Sequence, residues 1–337
     1  MQQTSILLGA AIVAAMFCWE LSADAFAQAT YDPLSIPDTS KSPASDPIDL
    51  TIEDAKRKRE IPIRVYLPYE KVAAPVVIFS HGLGGSRQGS AYLGRHWSAR
   101  GYAVVFLQHP GSDESVWRDV PLRQRIQTLK AAASVQNFKD RVDDVRATID
   151  RLERMTADAT GPLAGRLDTK QLGMSGHSFG AVTTQAVSGQ RQPIGGSLTE
   201  TRIKAAVVMS PSRPQNKLVS AERAFSEVQI PWLLMTGTKD DSPIGDTTPE
   251  SRLEVFPALP PGDKFELVLK DGNHYAFTER SDGGAKVERN PQHWNAILAL
   301  STAFWDAYLR DDEAAKQWLA GNDARSVLST GDRWQMK

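Results

Sequence analysis

The sequence predicts an α/β protein with a mostly parallel, eight-stranded sheet and helices on both faces. Three observations carry that prediction. Six short, mostly continuous apolar runs, at residues 75–80, 102–107, 170–175, 205–209, 232–236 and 265–269, have the length and pattern of strands buried on both sides. Between the runs lie helical periods, clearest over 138–155, where Phe138, Val142, Val145, Ile149 and Leu152 recur at steps of three and four. Ahead of them, residues 48–53 and 61–67 alternate in polarity around the charged stretch 54–59, the signature of an antiparallel hairpin at a sheet edge. Alternating strand and helix makes a parallel sheet whose ligand sites lie outside the carboxyl ends of the strands.

In chain order, the first 27 residues stand apart. Residues 6–17 form an apolar run of the length of a signal-peptide core, too short to span a membrane, and Ala25-Phe26-Ala27 is an A-x-A cleavage pattern. No Lys or Arg precedes the run, so the amino terminus alone supplies the positive charge. These features predict a signal peptide over 1–27, a mature start at Gln28 and a periplasmic or secreted protein without a stable membrane span. Cys18, the single cysteine, would leave with the leader, so no disulfide, thiolate nucleophile or cysteine metal site remains. Residues 28–47 read as an exposed linker, because 31–47 is rich in Pro, Ser and Asp and has no hydrophobic period. The catalytic domain is expected over 48–337. Within its hairpin, Lys56-Arg57-Lys58-Arg59 followed by Glu60 reads as a solvated turn.

Further along, the connection after 107 is long for a strand-to-helix link and contains Trp117, Leu122, Ile126, Leu129 and Phe138. It predicts either a lid or acyl-pocket wall at about 110–139, or a plain pair of packing helices. The apolar helix over 293–309 should pack on the sheet, and Trp232, Trp294 and Trp305 should belong to the core. Composition is that of an ordinary globular chain of 337 residues, 41% hydrophobic and 23% charged, which excludes a disordered or fibrous protein. Lys+Arg 39 against Asp+Glu 40 gives a net charge of -1, so there is no basic field for nucleic acid.

The residues at the strand ends point to acyl transfer. Gly176-His177-Ser178-Phe179-Gly180 follows a predicted strand and opens a predicted helix, the context a G-x-S-x-G nucleophile turn requires. The flanking glycines let strand and helix pass close together while Ser178 is held in a strained, exposed conformation. A serine hydroxyl needs a base, and the base needs an orienting carboxylate. Asp240 follows the run ending at 236, and His274 follows the run ending at 269, so serine, acid and histidine occur in that order after successive strands. His81 and His177 lie inside turn motifs, His96 and His293 on predicted helices, and His109 precedes the nucleophile, which leaves His274 as the base. Asp240 is the preferred acid and the adjacent Asp241 the alternative, since neighbouring side chains in an extended segment point opposite ways. The developing oxyanion needs two donors. The Phe179 N–H at the helix start is one, and the Leu83 N–H in His81-Gly82-Leu83-Gly84-Gly85-Ser86 is the other. That glycine-rich loop has neither phosphate-binding fingerprint.

Phe79-Ser80-His81-Gly82-Leu83-Gly84 together with Gly176-His177-Ser178-Phe179-Gly180 resembles the platelet-activating-factor acetylhydrolase and dienelactone-hydrolase-like branch of the α/β-hydrolase superfamily. The resemblance covers roughly residues 49–277 and implies the α/β-hydrolase fold. Two departures limit it. Dienelactone hydrolases carry a cysteine nucleophile where this chain has Ser178. In the lipid acetylhydrolases the acid follows the strand just after the nucleophile helix, where this chain has Met209-Ser210-Pro211-Ser212 and no carboxylate. Phospholipid specificity is therefore not implied.

The function expected is that of an exported serine hydrolase cleaving small-molecule or lipid carboxylic esters, with no cofactor, no metal and no nucleic-acid partner, and with its oligomeric state open. Two alternatives stand beside it. A catalytically inactive binding protein of the same fold would not react with a fluorophosphonate. A cofactor-free perhydrolase would halogenate in the presence of peroxide and acetate.

Overall fold

The parallel core of the sheet forms where the sequence places its continuous apolar runs. The computed structural model describes residues 31–36, 46–192, 196–214, 219–279 and 290–337, all within the unit Tyr31–Lys337. The expected signal peptide lies outside the described residues. The chain begins with the hairpin β1 (Ile48–Asp54) and β2 (Arg59–Tyr66), followed by β3 (Ala74–Ser80), α1 (Ala91–Ala99) and β4 (Ala103–Leu107). Next come α2 (Ser115–Arg118), α3 (Leu122–Ala132), α4 (Val135–Ala157), β5 (Leu167–His177) and α5 (Phe179–Val187). Then β6 (Ile203–Met209), α6 (Ala221–Phe225), β7 (Trp232–Lys239), α7 (Pro249–Leu253), α8 (Val255–Ala258) and β8 (Lys264–Asn273) lead to a 3₁₀ turn, His274–Phe277. The chain closes with α9 (Pro291–Leu309), α10 (Glu313–Ala320), α11 (Asp323–Ser326) and β9 (Arg333–Met336).

The strand order is β1-β2-β4-β3-β5-β6-β7-β8-β9. From β4 to β8 neighbouring strands are parallel, while β1, β2 and β9 pair antiparallel at the two edges. The order reverses around β3, so the loops after β3 and β5 face each other across a crevice at the carboxyl ends. Alternation along β3 divides the core: Val77 and Phe79 face a layer containing Trp97 of α1 and Phe304 and Trp305 of α9, while Val76 and Ile78 face Val142, Val145, Ile149 and Leu152 of α4. The stripe that predicts α4 is thus the stripe it buries, and the Ser134 side chain caps its start by accepting from the Asn137 N–H at 3.1 Å.

All eight expected strands are present, and a ninth is added. β9 pairs Trp334 with Leu267, and the Trp334 ring stacks on Phe265 with centroids 5.5 Å apart. Four residues of alternating polarity with one buried side chain carry little strand signal, so only the pairing partner reveals it. Part of the expected exposed linker is also corrected. Residues 31–36 dock on the core: the Tyr31 hydroxyl donates to Asp306 Oδ2 at 2.7 Å, and its ring meets Trp318 edge-on. Asp306 also accepts from Tyr102 and Arg100, and this buried carboxylate anchors the segment together with Leu34, which packs on the same core layer. Residues 37–45 lie outside the described residues.

The basic run forms the expected turn between β1 and β2 with Lys56 and Lys58 exposed, but its two arginines turn inward. Arg57 and Arg59 both reach the fully buried carboxylate of Asp144, at 2.8 and 2.7 Å, because α4 brings that charge beneath the hairpin. The segment 110–139 contains α2, α3 and the start of α4. Trp117 and Leu129 pack against Gly84, while Leu122 and Ile126 are exposed.

Candidate active site

Three loops at the carboxyl ends of β5, β7 and β8 bring together the residues that the sequence separates. Ser178 sits between β5 and α5 with φ 59° and ψ -115°, a conformation that costs a non-glycine residue on the order of 1–3 kcal/mol. The turn is possible because its neighbours lack side chains. A Cβ on Gly180 would lie 1.9 Å from the Ser80 carbonyl oxygen, and one on Gly176 would lie 2.4 Å from that of Gly180. The Ser178 N–H donates to the Met209 carbonyl at 3.0 Å, which ties the turn to the end of β6.

His274 opens the 3₁₀ turn after β8, which Asn273 caps by accepting from the Tyr275 N–H at 3.0 Å. Its Nε2 lies 2.8 Å from Ser178 Oγ and its Nδ1 lies 2.7 Å from Asp240 Oδ1. An ionised carboxylate only accepts, so the Asp240 contact places the imidazole proton on Nδ1 and leaves the Nε2 lone pair facing the serine hydroxyl. The ring is flanked by His177, with centroids 4.7 Å apart. The chain of contacts Ser178–His274–Asp240 is therefore geometrically complete.

Asp240 is fully buried, whereas Asp241 is exposed. The geometry thus brings only the first of the two candidate acids to the imidazole. Its other oxygen, Oδ2, accepts from the Thr236 hydroxyl at 2.8 Å. Arg252 of α7, also buried, packs against the same residue. Its Nε donates to the Asp240 carbonyl at 2.7 Å and lies 3.2 Å from Oδ1. Its Nη1 donates to the carbonyls of Ser210 and Pro211, both at 2.9 Å. Burial pushes the guanidinium below its usual range, and the charges of Asp240 and Asp241 oppose that shift. The loop after β6, which has no carboxylate, is thus held by an arginine from the following segment. Sequence reasoning missed Arg252, because an arginine in a short polar stretch carries no sign of burial.

Of the two residues expected to supply oxyanion donors, Phe179 follows Ser178 directly and Leu83 lies in the loop that packs against it. Phe179 is the first residue of α5, so its N–H has no partner within the helix. The loop with Leu83 touches the nucleophile from the other side: a Cβ on Gly82 would lie 3.3 Å from Ser178 Cβ. That loop is held by the Gly84 N–H donating to Ser112, and by the Trp117 indole donating to the Gly84 carbonyl at 2.7 Å.

A second chain of the same residue types lies behind this loop. Ser80 Oγ is 2.9 Å from His109 Nε2, and His109 Nδ1 is 3.0 Å from Asp144 Oδ2, with all three residues fully buried. Burial, followed by the nearby Arg141, pushes the His109 imidazole down to about 4, so it is neutral near pH 7. Burial raises the Asp144 carboxyl, but hydrogen bonds from His109 and Arg59 outweigh it and hold the group well below the usual range. Ser80 has no solvent access, so this chain has no route to substrate. The sequence carried a signal for it, since Arg141 and Asp144 fall three apart on the buried face of α4. Among the described residues no group of three or more His, Cys, Asp or Glu is arranged to hold a metal ion.

A family model described as PET hydrolase-like matches residues 124–332, more than half of the chain and a span that contains Ser178, Asp240 and His274. A second, described as platelet-activating factor acetylhydrolase, isoform II, matches residues 66–147, which contain the Leu83 loop. Similar curated proteins include cutinase est2 of Thermobifida alba, 25% identical over 273 residues, covering 80% of this chain and 72% of the relative. Cutinase est1 of the same organism is 22% identical over 272 residues, covering 80% of this chain and 73% of the relative. These matches lie in the α/β-hydrolase superfamily and include the acetylhydrolase branch that the motifs resemble.

Proposed function

The chain belongs to the PET hydrolase-like family, and from that premise we propose that it is an exported serine hydrolase that cleaves carboxylic esters through an acyl-enzyme on Ser178. The family and the cutinase relatives make it an ester hydrolase. The observation that carries the finer reading is the contact chain from Ser178 Oγ through His274 to the buried Asp240, at 2.8 and 2.7 Å. What this chain shares with proteins named for cutin or PET is the ester bond, and only that chemistry is carried over.

Ser178 Oγ attacks the ester carbonyl carbon while His274 Nε2 takes the hydroxyl proton. The carbonyl oxygen becomes an oxyanion facing the Leu83 and Phe179 N–H groups, each donor of this kind being worth about 2.7 to 4 kcal/mol. The carbon–oxygen bond to the alcohol breaks, and His274 gives the proton to the leaving alkoxide. Water then attacks the acyl-enzyme, losing a proton to His274, and the carboxylic acid leaves as the proton returns to Ser178. Asp240 holds the imidazole tautomer throughout and stabilises the imidazolium. The helices α2 and α3 form a wall beside the Leu83 loop, anchored by Trp117 and Leu129. Export follows from the apolar run and the Ala25-Phe26-Ala27 site, with Gln28 as the first residue of the mature chain.

The test is hydrolysis of p-nitrophenyl esters from acetyl to palmitoyl, with Ser178→Ala as the blank. Serine-dependent turnover that declines beyond short chains establishes a carboxylesterase with a closed acyl pocket, and sustained turnover on long chains a lipase-like one. Absence of serine-dependent turnover on every member overturns the proposal. Export is checked by amino-terminal sequencing of the exported protein, which should begin at Gln28.

A further inference from the structure

Behind the loop that carries Leu83 lies a buried cation that the mechanism above does not use. Arg141 of α4 has no exposed surface, and its close contacts are neutral groups. Its Nη1 donates to the His81 carbonyl at 2.7 Å and its Nε donates to the Ser112 hydroxyl at 2.8 Å. The guanidinium carbon lies 4.4 Å from the centroid of the Phe179 ring. Among the described residues no carboxylate forms an ion pair with it: of the two whose charges attract it, Asp144 is engaged by Arg57, Arg59 and His109, and Asp113 accepts from Gln108 and Ser115. Burying a cation without a carboxylate partner costs several kcal/mol, so the fold sustains it only through these hydrogen bonds and the ring.

Those contacts converge on the two donors of the oxyanion site. Next to Arg141, the His109 N–H donates to His81 Nε2 at 3.1 Å, which makes Nε2 the acceptor and puts the ring proton on Nδ1. That Nδ1 donates to the Gly82 carbonyl at 2.6 Å, and the Gly85 N–H donates to the same oxygen at 2.9 Å. In a trans peptide the Gly82 carbonyl and the Leu83 N–H point in opposite directions. Holding the carbonyl toward the buried histidine therefore turns the Leu83 N–H the other way. Arg141 fixes the peptide before this one, through the His81 carbonyl, and on its other side packs on the side chain of Phe179, whose own N–H is the second donor.

We propose that Arg141 is a positioning residue for ester hydrolysis: it sets the Gly82–Leu83 peptide and Phe179 before substrate arrives and keeps a fixed positive charge behind the developing oxyanion. The proposal rests on the acyl-enzyme reading of Ser178. It acts on the transition state and not on substrate binding, so its removal lowers kcat and leaves KM unchanged.

The experiment compares Arg141→Met and Arg141→Lys with the full-length wild type on p-nitrophenyl butyrate, with kcat counted per Ser178 titrated by a fluorophosphonate. In Arg141→Met kcat should fall about tenfold to a hundredfold, less than or equal to the loss of a whole donor, with KM within about twofold. Affinity for an alkylboronic acid, which forms a tetrahedral anion on serine, should fall in step with kcat/KM, and Arg141→Lys should recover part of both. A purely structural role would reduce the number of titratable serines and leave kcat per serine unchanged, and that result overturns the proposal. If neither variant accumulates folded, Ser112→Ala decides: it removes one anchor of the guanidinium, and the proposal requires a smaller fall in kcat at constant KM, with no change counting against it. A wild type without serine-dependent turnover overturns the acyl-enzyme reading and this proposal together, whereas an active wild type with a fully active Arg141→Met overturns this proposal alone.

Discussion

Replacing Asp240 by Asn should separate the two adjacent aspartates in function as the structure separates them in space. Asp240 Oδ1 faces His274 Nδ1 at 2.7 Å and Arg252 Nε at 3.2 Å, while Oδ2 receives the Thr236 hydroxyl at 2.8 Å. The amide of Asn has one acceptor and one donor end. If its NH₂ group faces Thr236, the hydroxyl turns to accept, and the imidazole keeps its partner but loses the negative charge that stabilises the imidazolium. If the NH₂ group faces His274, the ring must adopt the other tautomer, with its proton pointing at Ser178. Either outcome removes what the carboxylate supplies, a factor of about 10⁴ in kcat or about 5 kcal/mol of barrier. Stability falls as well, by about 3–5 kcal/mol, because Arg252 stays buried without its counter-charge. The exposed Asp241→Asn should leave kcat within about twofold and stability within about 0.5 kcal/mol. The assay is p-nitrophenyl butyrate turnover at pH 8 under conditions where urea titration shows each variant folded. Equal losses in the two variants, or an Asp240→Asn enzyme within tenfold of wild type, would exclude Asp240 as the partner of His274.

Gly180→Ala should abolish the nucleophile turn, because its Cβ would fall 1.9 Å from the Ser80 carbonyl; a cost of about 3 kcal/mol or more and loss of serine-dependent turnover are expected in urea and activity measurements. Acid should destabilise the protein through its buried histidines. Burial pushes His109 and His96 from 6.5 down to about 4, so between those values the unfolded chain binds protons that the folded chain refuses, and stability falls as pH drops from 6.5 to 4. Each histidine contributes a loss on the order of 3 kcal/mol over that window, and Asp144, held below its ordinary 3.8, extends the loss to lower pH. Urea unfolding at pH 7, 5.5 and 4 checks this, and His109→Gln should flatten the pH dependence.

What the sequence disclosed and what it withheld divide along one physical line. Apolar periodicity reports burial directly, so the strands around Val77, Val105, Met174, Val207, Leu234 and Leu267, and the stripe of α4, stand where their patterns put them. The turn around Ser178 was legible because only glycine tolerates its close approaches. His274 and Asp240 were legible through their order after successive strands, although adjacency left Asp240 and Asp241 unresolved until the buried one was seen. Charged residues gave the opposite result. Arg57, Arg59 and Arg252 are counted by any composition argument as solvated, yet the groups that hold them lie far away in the chain. No local pattern encodes a partner 85 residues distant, as between Arg59 and Asp144. The docking of Tyr31 on Asp306 and the pairing of β9 with β8 were hidden for the same reason.

A covalent intermediate on Ser178 is tested by peptide mapping by mass spectrometry after stoichiometric fluorophosphonate treatment, with ester turnover followed in parallel. One adduct per chain is expected, on the peptide containing Ser178, appearing at the rate at which turnover is lost and absent in Ser178→Ala. An adduct elsewhere, or full labelling of Ser178 with turnover intact, would contradict it.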